Sequence, residues 1–153
     1  MKIQFTLNGE DVEIESRANK TLLDLLREDF EITSVKKGCE NGECGACTIL
    51  LDGSPVTSCI VLAPSIQGKT VTTIDGLVDE PLMVKLRDAY LKMGAIQCGF
   101  CTPGMLISSY SLLRDNPQPN TEEIKKGLEG NLCRCTGYTH IIEAIKYASN
   151  QVA

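Results

Sequence analysis

The sequence has no tryptophan, only three phenylalanines and four tyrosines, and a single histidine, His140. A core must therefore come from Leu, Ile, Val and Met. A Rieske centre, which needs two histidines, is excluded. No apolar run approaches the roughly 20 residues that span a bilayer. The opening MKIQFTLNGEDVEI has no apolar h-region or small-residue cleavage site, so no signal peptide is expected. Basic residues are also in deficit, 15 Lys and Arg against 20 Asp and Glu, for a net charge of −5. That balance argues against a general nucleic-acid or anionic-membrane surface and leaves an acidic face toward a basic partner open. G-x-S-x-G, H-E-x-x-H, P-loop and G-x-G-x-x-G motifs are all missing, so the chain offers none of the nucleophile, zincin or phosphate-cradle chemistries they mark.

What is abundant is cysteine, eight in 153 residues. Without an export signal the expected compartment is the cytosol, where thiols stay reduced. Eight cysteines there point to metal or redox chemistry, and a secreted disulfide scaffold is the weaker rival.

The length suits one ordinary domain or two small ones. The first half reads as β-rich. Residues 3–7 and 11–15 alternate around an Asn8-Gly9 hairpin turn. Thr21 is placed to cap a short helix, LLDLLREDF, with leucines at 22, 23, 25 and 26 on a buried face. TILLDGSPVTSCIVLA reads as strand, Asp52-Gly53 turn, strand, and TVTTIDGL as another short strand. Near Pro81 the pattern becomes helical. The expected helices are PLMVKLRDAYLKMG, then PGMLISSYSLLRD with Thr102 as N-cap and Pro103 at the first helical position. Next come TEEIKKGLEG, with an Asn120/Glu123 capping box, and finally HIIEAIKYASNQ. A small sheet crossed by one helix, followed by a compact four-helix bundle, is the natural assembly. His140 reads as a helix-surface or capping residue, with tuning of a nearby metal centre as its functional alternative. Glu122 and Glu123 read as dipole partners of a helix start.

The cysteines fall into two sets. Cys39, Cys44, Cys47 and Cys59 follow C-x4-C-x2-C-x11-C, the plant-type [2Fe–2S] spacing. Two irons bridged by two sulfides need four thiolates, two on each iron. One tight loop supplies three of them, and the glycines around it (Gly38, Gly42, Gly45) permit positive φ and turn amides toward sulfur. A structural zinc site is the alternative, although its usual C-x2–4-C knuckles fit this triple poorly. Cys98, Cys101, Cys133 and Cys135 follow C-x2-C-x31-C-x-C. That spacing is less specific, and half a zinc ribbon, a thioredoxin-like pair or an iron–sulfur site all remain open. The bacterial run for [4Fe–4S] clusters is absent. Both pairs precede expected helix starts, which favour thiolates.

Taken together, GCENGECGACTILLDG, QCGFCTPGML and GNLCRCTGY, in this order and spacing, resemble the iron–sulfur small subunits of the molybdenum hydroxylases, the xanthine dehydrogenase/aldehyde oxidase/CO dehydrogenase family. The resemblance runs from about residue 2 to 150 and uses all eight cysteines. It implies an α+β chain with an N-terminal plant-ferredoxin-like β-grasp domain (1–76) and a C-terminal four-helix bundle domain (77–153). It implies a first [2Fe–2S] cluster on Cys39, Cys44, Cys47 and Cys59, nearer a flavin, and a second on Cys98, Cys101, Cys133 and Cys135, nearer molybdenum. By the same resemblance Gln97 contacts the molybdopterin of a partner subunit and Cys135 lies close to it. The implied partners are a large molybdopterin-binding subunit and an FAD-binding medium subunit, in a dimer of heterotrimers or similar. The implied role is electron relay between them, with no substrate-converting site on this chain. Two other readings are a free-standing ferredoxin-like carrier and a zinc-held interaction module. The added helices with their own thiols favour docking between partners over the former.

Overall fold

The computed structural model of the chain describes residues 1–152; Ala153, the last residue of the expected second domain, lies outside them. Strands β1 (Lys2–Leu7) and β2 (Glu10–Glu15) form an antiparallel hairpin with Leu7 opposite Glu10. Its turn residues Asn8 and Gly9 have φ of 50° and 86°, the left-handed pair that matches the twist of a two-residue hairpin. Alternation puts Ile3, Phe5 and Leu7 inside. The Phe5 ring meets Phe30 edge-on, with centroids 5.7 Å apart.

Helix α1 (Leu22–Asp24) begins where Thr21 Oγ1 accepts from the Asp24 amide at 3.1 Å. It then widens into a π-turn over Leu25–Asp29, so the expected single helix has two geometries. All four leucines are buried, and fully burying each contributes about 1.5–3 kcal/mol. Strands β3 (Thr48–Leu51) and β4 (Ser54–Thr57) follow, joined by Asp52 and Gly53 at φ 49° and 81°. The second of these strands is shorter than the alternation suggested. Ser58 donates through both its amide (3.3 Å) and its hydroxyl (2.8 Å) to the Cys47 carbonyl, and the chain turns into a 3-10 segment over Ser58–Ile60. Strand β5 (Thr70–Thr72) completes a mixed sheet in the order β2-β1-β5-β3-β4, with β1 and β5 parallel.

The second half holds α2 (Pro81–Lys92), α3 (Thr102–Asp115), α4 (Thr121–Gly127) and α5 (Thr139–Val152). On α5 the buried residues Ile141, Ala144, Ile145 and Ala148 form one stripe at helical spacing and face the core that α2 lines with Met83, Leu86, Ala89 and Tyr90. The buried Tyr90 hydroxyl is satisfied by Ser109 Oγ at 2.8 Å. The Asn120/Glu123 capping box forms as expected. The expectation for Thr102 does not hold. Cys101 occupies the cap position and its carbonyl accepts from Met105 at 3.0 Å, so Thr102 is the first helical residue.

Helix α3 is buried on nearly every side because it packs on the bundle and also on β3 and β4. Leu50 of β3 belongs to the helical core. This double packing brings the two cysteine-bearing halves together.

Candidate metal centres

The first cysteine loop wraps amides around sulfur. Glu40, Gly42 and Gly45 all have positive φ (58°, 82° and 73°). The reversals aim the amides of Cys44 (3.3 Å), Asn41 (3.5 Å) and Glu43 (3.3 Å) at Cys39 Sγ. Those donors, the Cys44 and Asn41 amides foremost, hold the Cys39 thiol down at about 6. The amides of Cys39 and Ala46 point at Cys44 Sγ, at 3.4 and 3.5 Å. Deeper in, Cys47 and Cys59 are buried. Burial first, and hydrogen bonding to Cys47 second, push the Cys59 thiol up to about 12. Such a thiol stays neutral until a cation takes its proton's place.

The second set is built from two loops. One carries Cys98 and Cys101 between α2 and α3; the other carries Cys133 and Cys135 ahead of α5. Burial, then hydrogen bonding to Cys133, raises Cys101 to about 12. Against its own burial, Cys133 is held below its ordinary value by the hydroxyl (3.2 Å) and amide (3.4 Å) of Thr136. The Cys98 side chain raises Cys135, and both are exposed. Tyr138 fastens this loop, its hydroxyl accepting from the Cys133 amide at 2.9 Å.

All eight cysteines are free thiols. Within each set they are neighbours: Cys39 meets Cys44, Cys47 meets Cys59, Cys98 meets Cys135 and Cys101 meets Cys133, while Cys59 is also near Cys39, Cys101 near Cys98 and Cys135 near Cys133. A [2Fe–2S] cluster takes four thiolates, and each set of four neighbouring thiols supplies that number.

The two loops also touch. The Leu132 amide donates to the Cys44 carbonyl at 2.9 Å. Asn131 Nδ2 donates to the Gly45 carbonyl at 3.1 Å, and Asn131 Oδ1 accepts from Ser108 Oγ at 2.6 Å.

Comparison with known proteins matches this geometry. A family described as "2Fe-2S iron-sulfur cluster binding domain" matches residues 5–73, and one described as "[2Fe-2S] binding domain" matches residues 73–146. The nicotinate dehydrogenase small FeS subunit of Eubacterium barkeri is 49% identical over 151 residues, covering 99% of this chain and 96% of that one. The xanthine dehydrogenase iron-sulfur-binding subunit of Escherichia coli O157:H7 is 43% identical over 94% of this chain and 91% of that one. The chain belongs to the iron–sulfur small subunits of the molybdenum hydroxylases. It is the electron-transfer subunit of an oxidoreductase complex. Among solved structures, quinoline 2-oxidoreductase from Pseudomonas putida 86 superposes with a TM-score of 0.92 at 42% identity, over 98% of this chain and 94% of that one. Aldehyde oxidoreductase from Desulfovibrio gigas gives a TM-score of 0.90 at 34% identity, and there the match covers 17% of a longer chain.

Other residues singled out by sequence lie at the surface of this small subunit. Gln97 is exposed, next to exposed Cys98. His140 is exposed on α5, with Nδ1 3.7 Å from Glu143 of the same helix, as a helix-surface residue should be. Glu122 pairs with Lys125 at 3.2 Å and Glu123 serves the capping box, both in the first turn of α4. Among the described residues no helix is long and apolar enough to cross a membrane. Sequence reasoning missed Asn131 and Ser108, whose only hint was the Asn within GNLCRC.

Proposed function

We propose that this chain carries electrons between a molybdopterin-bearing large subunit and an FAD-bearing medium subunit. On this reading residues 1–76 and 77–153 are two cluster-binding domains. Cys39, Cys44, Cys47 and Cys59 would hold the first [2Fe–2S] cluster, and Cys98, Cys101, Cys133 and Cys135 the second. When bound, each cluster accepts and releases one electron at a time. The residues do the rest. The inward amides around Cys39 and Cys44 stabilise negative charge on sulfur and so help set the reduction potential. Burial of Cys47 and Cys59 keeps water from the inner side of the first centre.

The observation that carries this reading is the cradle of amides aimed at Cys39 and Cys44 Sγ, with eight free thiols in two sets of four. Partners find support in the apolar side chains exposed in the cysteine-bearing loops: Ile60 and Leu62 beside Cys59, Phe100 between Cys98 and Cys101, and Leu132 before Cys133. Gln97 and Cys135, both at the surface, are the proposed contacts to the molybdopterin held by the large subunit. The proposed compartment is the cytosol, where close thiol pairs stay unbridged.

The test is composition. The chain purified without oxygen should carry about four irons and about four labile sulfides, two per [2Fe–2S] centre, with two distinguishable EPR signals after reduction. About two zinc ions and no sulfide would overturn the redox reading and leave a zinc-held module.

A further inference from the structure

The segment ahead of Cys133 lies on the first cysteine loop, and one buried side chain spans that contact. Leu132 precedes Cys133, and its amide donates to the carbonyl of Cys44. Covalent bonds and this single hydrogen bond run from Cys44 Sγ through its carbonyl to the Leu132 amide and on to Cys133 Sγ. Asn131 adds a side-chain constraint to this backbone contact. It is buried at 5% exposure although polar. Both ends of its amide are used, Nδ2 on the Gly45 carbonyl and Oδ1 on Ser108 Oγ of α3. Through them the segment that carries Leu132 is fixed both to the first cysteine loop, where Cys44 lies, and to α3. The neighbouring glycines show how close the fit is. A Cβ on Gly45 would stand 2.1 Å from the Gly130 carbonyl oxygen.

We propose that Asn131 is a positioning residue for electron transfer between the two centres, acting by holding the Leu132 amide on the Cys44 carbonyl. This rests on the proposed function above. In the step concerned one electron leaves the centre at Cys133 and arrives at the centre at Cys44. One is oxidised by one unit as the other is reduced, and no proton or bond moves. An Asn suits the task better than an Asp. Its NH2 donates to one carbonyl while its oxygen accepts from a hydroxyl, whereas a carboxylate would set a second acceptor against the Gly45 carbonyl.

The experiment uses the full chain loaded with both centres, in three forms: unaltered, Asn131→Asp and Ser108→Ala. Iron and sulfide are counted, the EPR line shape of each centre is recorded, and the rate of electron equilibration between centres after flash reduction is measured. A longer or broken path slows electron transfer between fixed centres. Asn131→Asp is therefore expected to slow equilibration severalfold, with iron content and both line shapes retained. Ser108→Ala, which frees one end of the amide, is expected to slow it by less. Full iron with an unchanged rate in Asn131→Asp overturns the proposal. So does iron loss that accounts for the slower rate in both variants, since Asn131 would then be only structural. If Asn131→Asp does not fold, an unchanged rate in Ser108→Ala is decisive against it. An unaltered chain holding zinc and no sulfide overturns the proposed function itself.

Discussion

Gly104, in the first turn of α3, lies against Gly45 so closely that a Cβ on Gly104 would stand 2.2 Å from the Gly45 carbonyl oxygen. Two effects of Gly104→Ala oppose each other. Alanine favours a helix over glycine by about 0.8–1 kcal/mol. The new methyl, however, strikes backbone, which cannot rotate away, and overpacking costs typically about 1–3 kcal/mol. The clash should win. Gly104→Ala is expected to lower the melting temperature by several degrees and to separate the first cysteine loop from the 130–132 segment. Faster amide exchange confined to these two segments would report it. A variant as stable as the unaltered chain would show that the loops are not docked this tightly.

Lys20 ties down the π-turn, pairing with Asp29 and with Glu28 at 3.0 Å while its own side chain is only 15% exposed. The Asp29 hydrogen bond, against some desolvation, raises the Lys20 pKa. A raised lysine pKa contributes stability that is fully present below the unfolded value and is lost as pH rises through the folded one. The gap in melting temperature between the unaltered chain and Lys20→Gln should thus stay constant from pH 7 to about 9.5. It should close only above about pH 10.4, the ordinary lysine value. A gap that closes near neutrality would assign the effect to another group.

Helix α4 is only seven residues long, too short to stand on propensity alone. It depends on Asn120, whose Oδ1 accepts from the Glu123 amide at 2.9 Å while the Glu123 carboxylate accepts from the Asn120 amide at 2.7 Å. Asn120→Ala should cost about 1 kcal/mol, read as a shifted denaturation midpoint with an unchanged slope. Asn120→Asp should cost much less, because the carboxylate still caps.

That capping box was legible in the sequence because both partners lie within one helical turn. The hairpins at Asn8-Gly9 and Asp52-Gly53 were legible for the same reason, since two residue types favour the left-handed φ values observed. The tight turns of the first cysteine loop could be read because Gly42 and Gly45 are local and take the positive φ expected of them, whereas Gly38 does not. The π-turn could not. It depends on the Phe30 amide reaching the Leu25 carbonyl at 3.3 Å, a choice set by packing under the sheet. Thr102 was misplaced by one position because a Thr-Pro pair signals a helix start without fixing which residue supplies the first carbonyl. Asn131 was invisible as a clamp because its partner Gly45 is 86 residues away. Only the packing of α3 on both halves brings them together.

The pairing of thiols makes a prediction that no list of ligands makes. If Cys98 and Cys135 share one iron and Cys101 and Cys133 the other, Cys98→Ser and Cys135→Ser replace the same half of one centre. Their EPR spectra should then resemble each other more than either resembles Cys101→Ser or Cys133→Ser. The two pairs also differ in surroundings. Cys98 and Cys135 are exposed, whereas Cys101 and Cys133 are half-buried and packed on the bundle core. Serine at an exposed site leaves its hydroxyl to water. At Cys101 it places a polar group where burial already disfavours charge, so the outer-pair variants should retain more iron than the inner-pair ones. All four should leave the signal of the first centre unchanged, because Cys39, Cys44 and Cys59 draw their amide donors from the first cysteine loop. Loss of both signals together in Cys135→Ser would show instead that the two centres assemble as one unit across the Cys44–Leu132 contact.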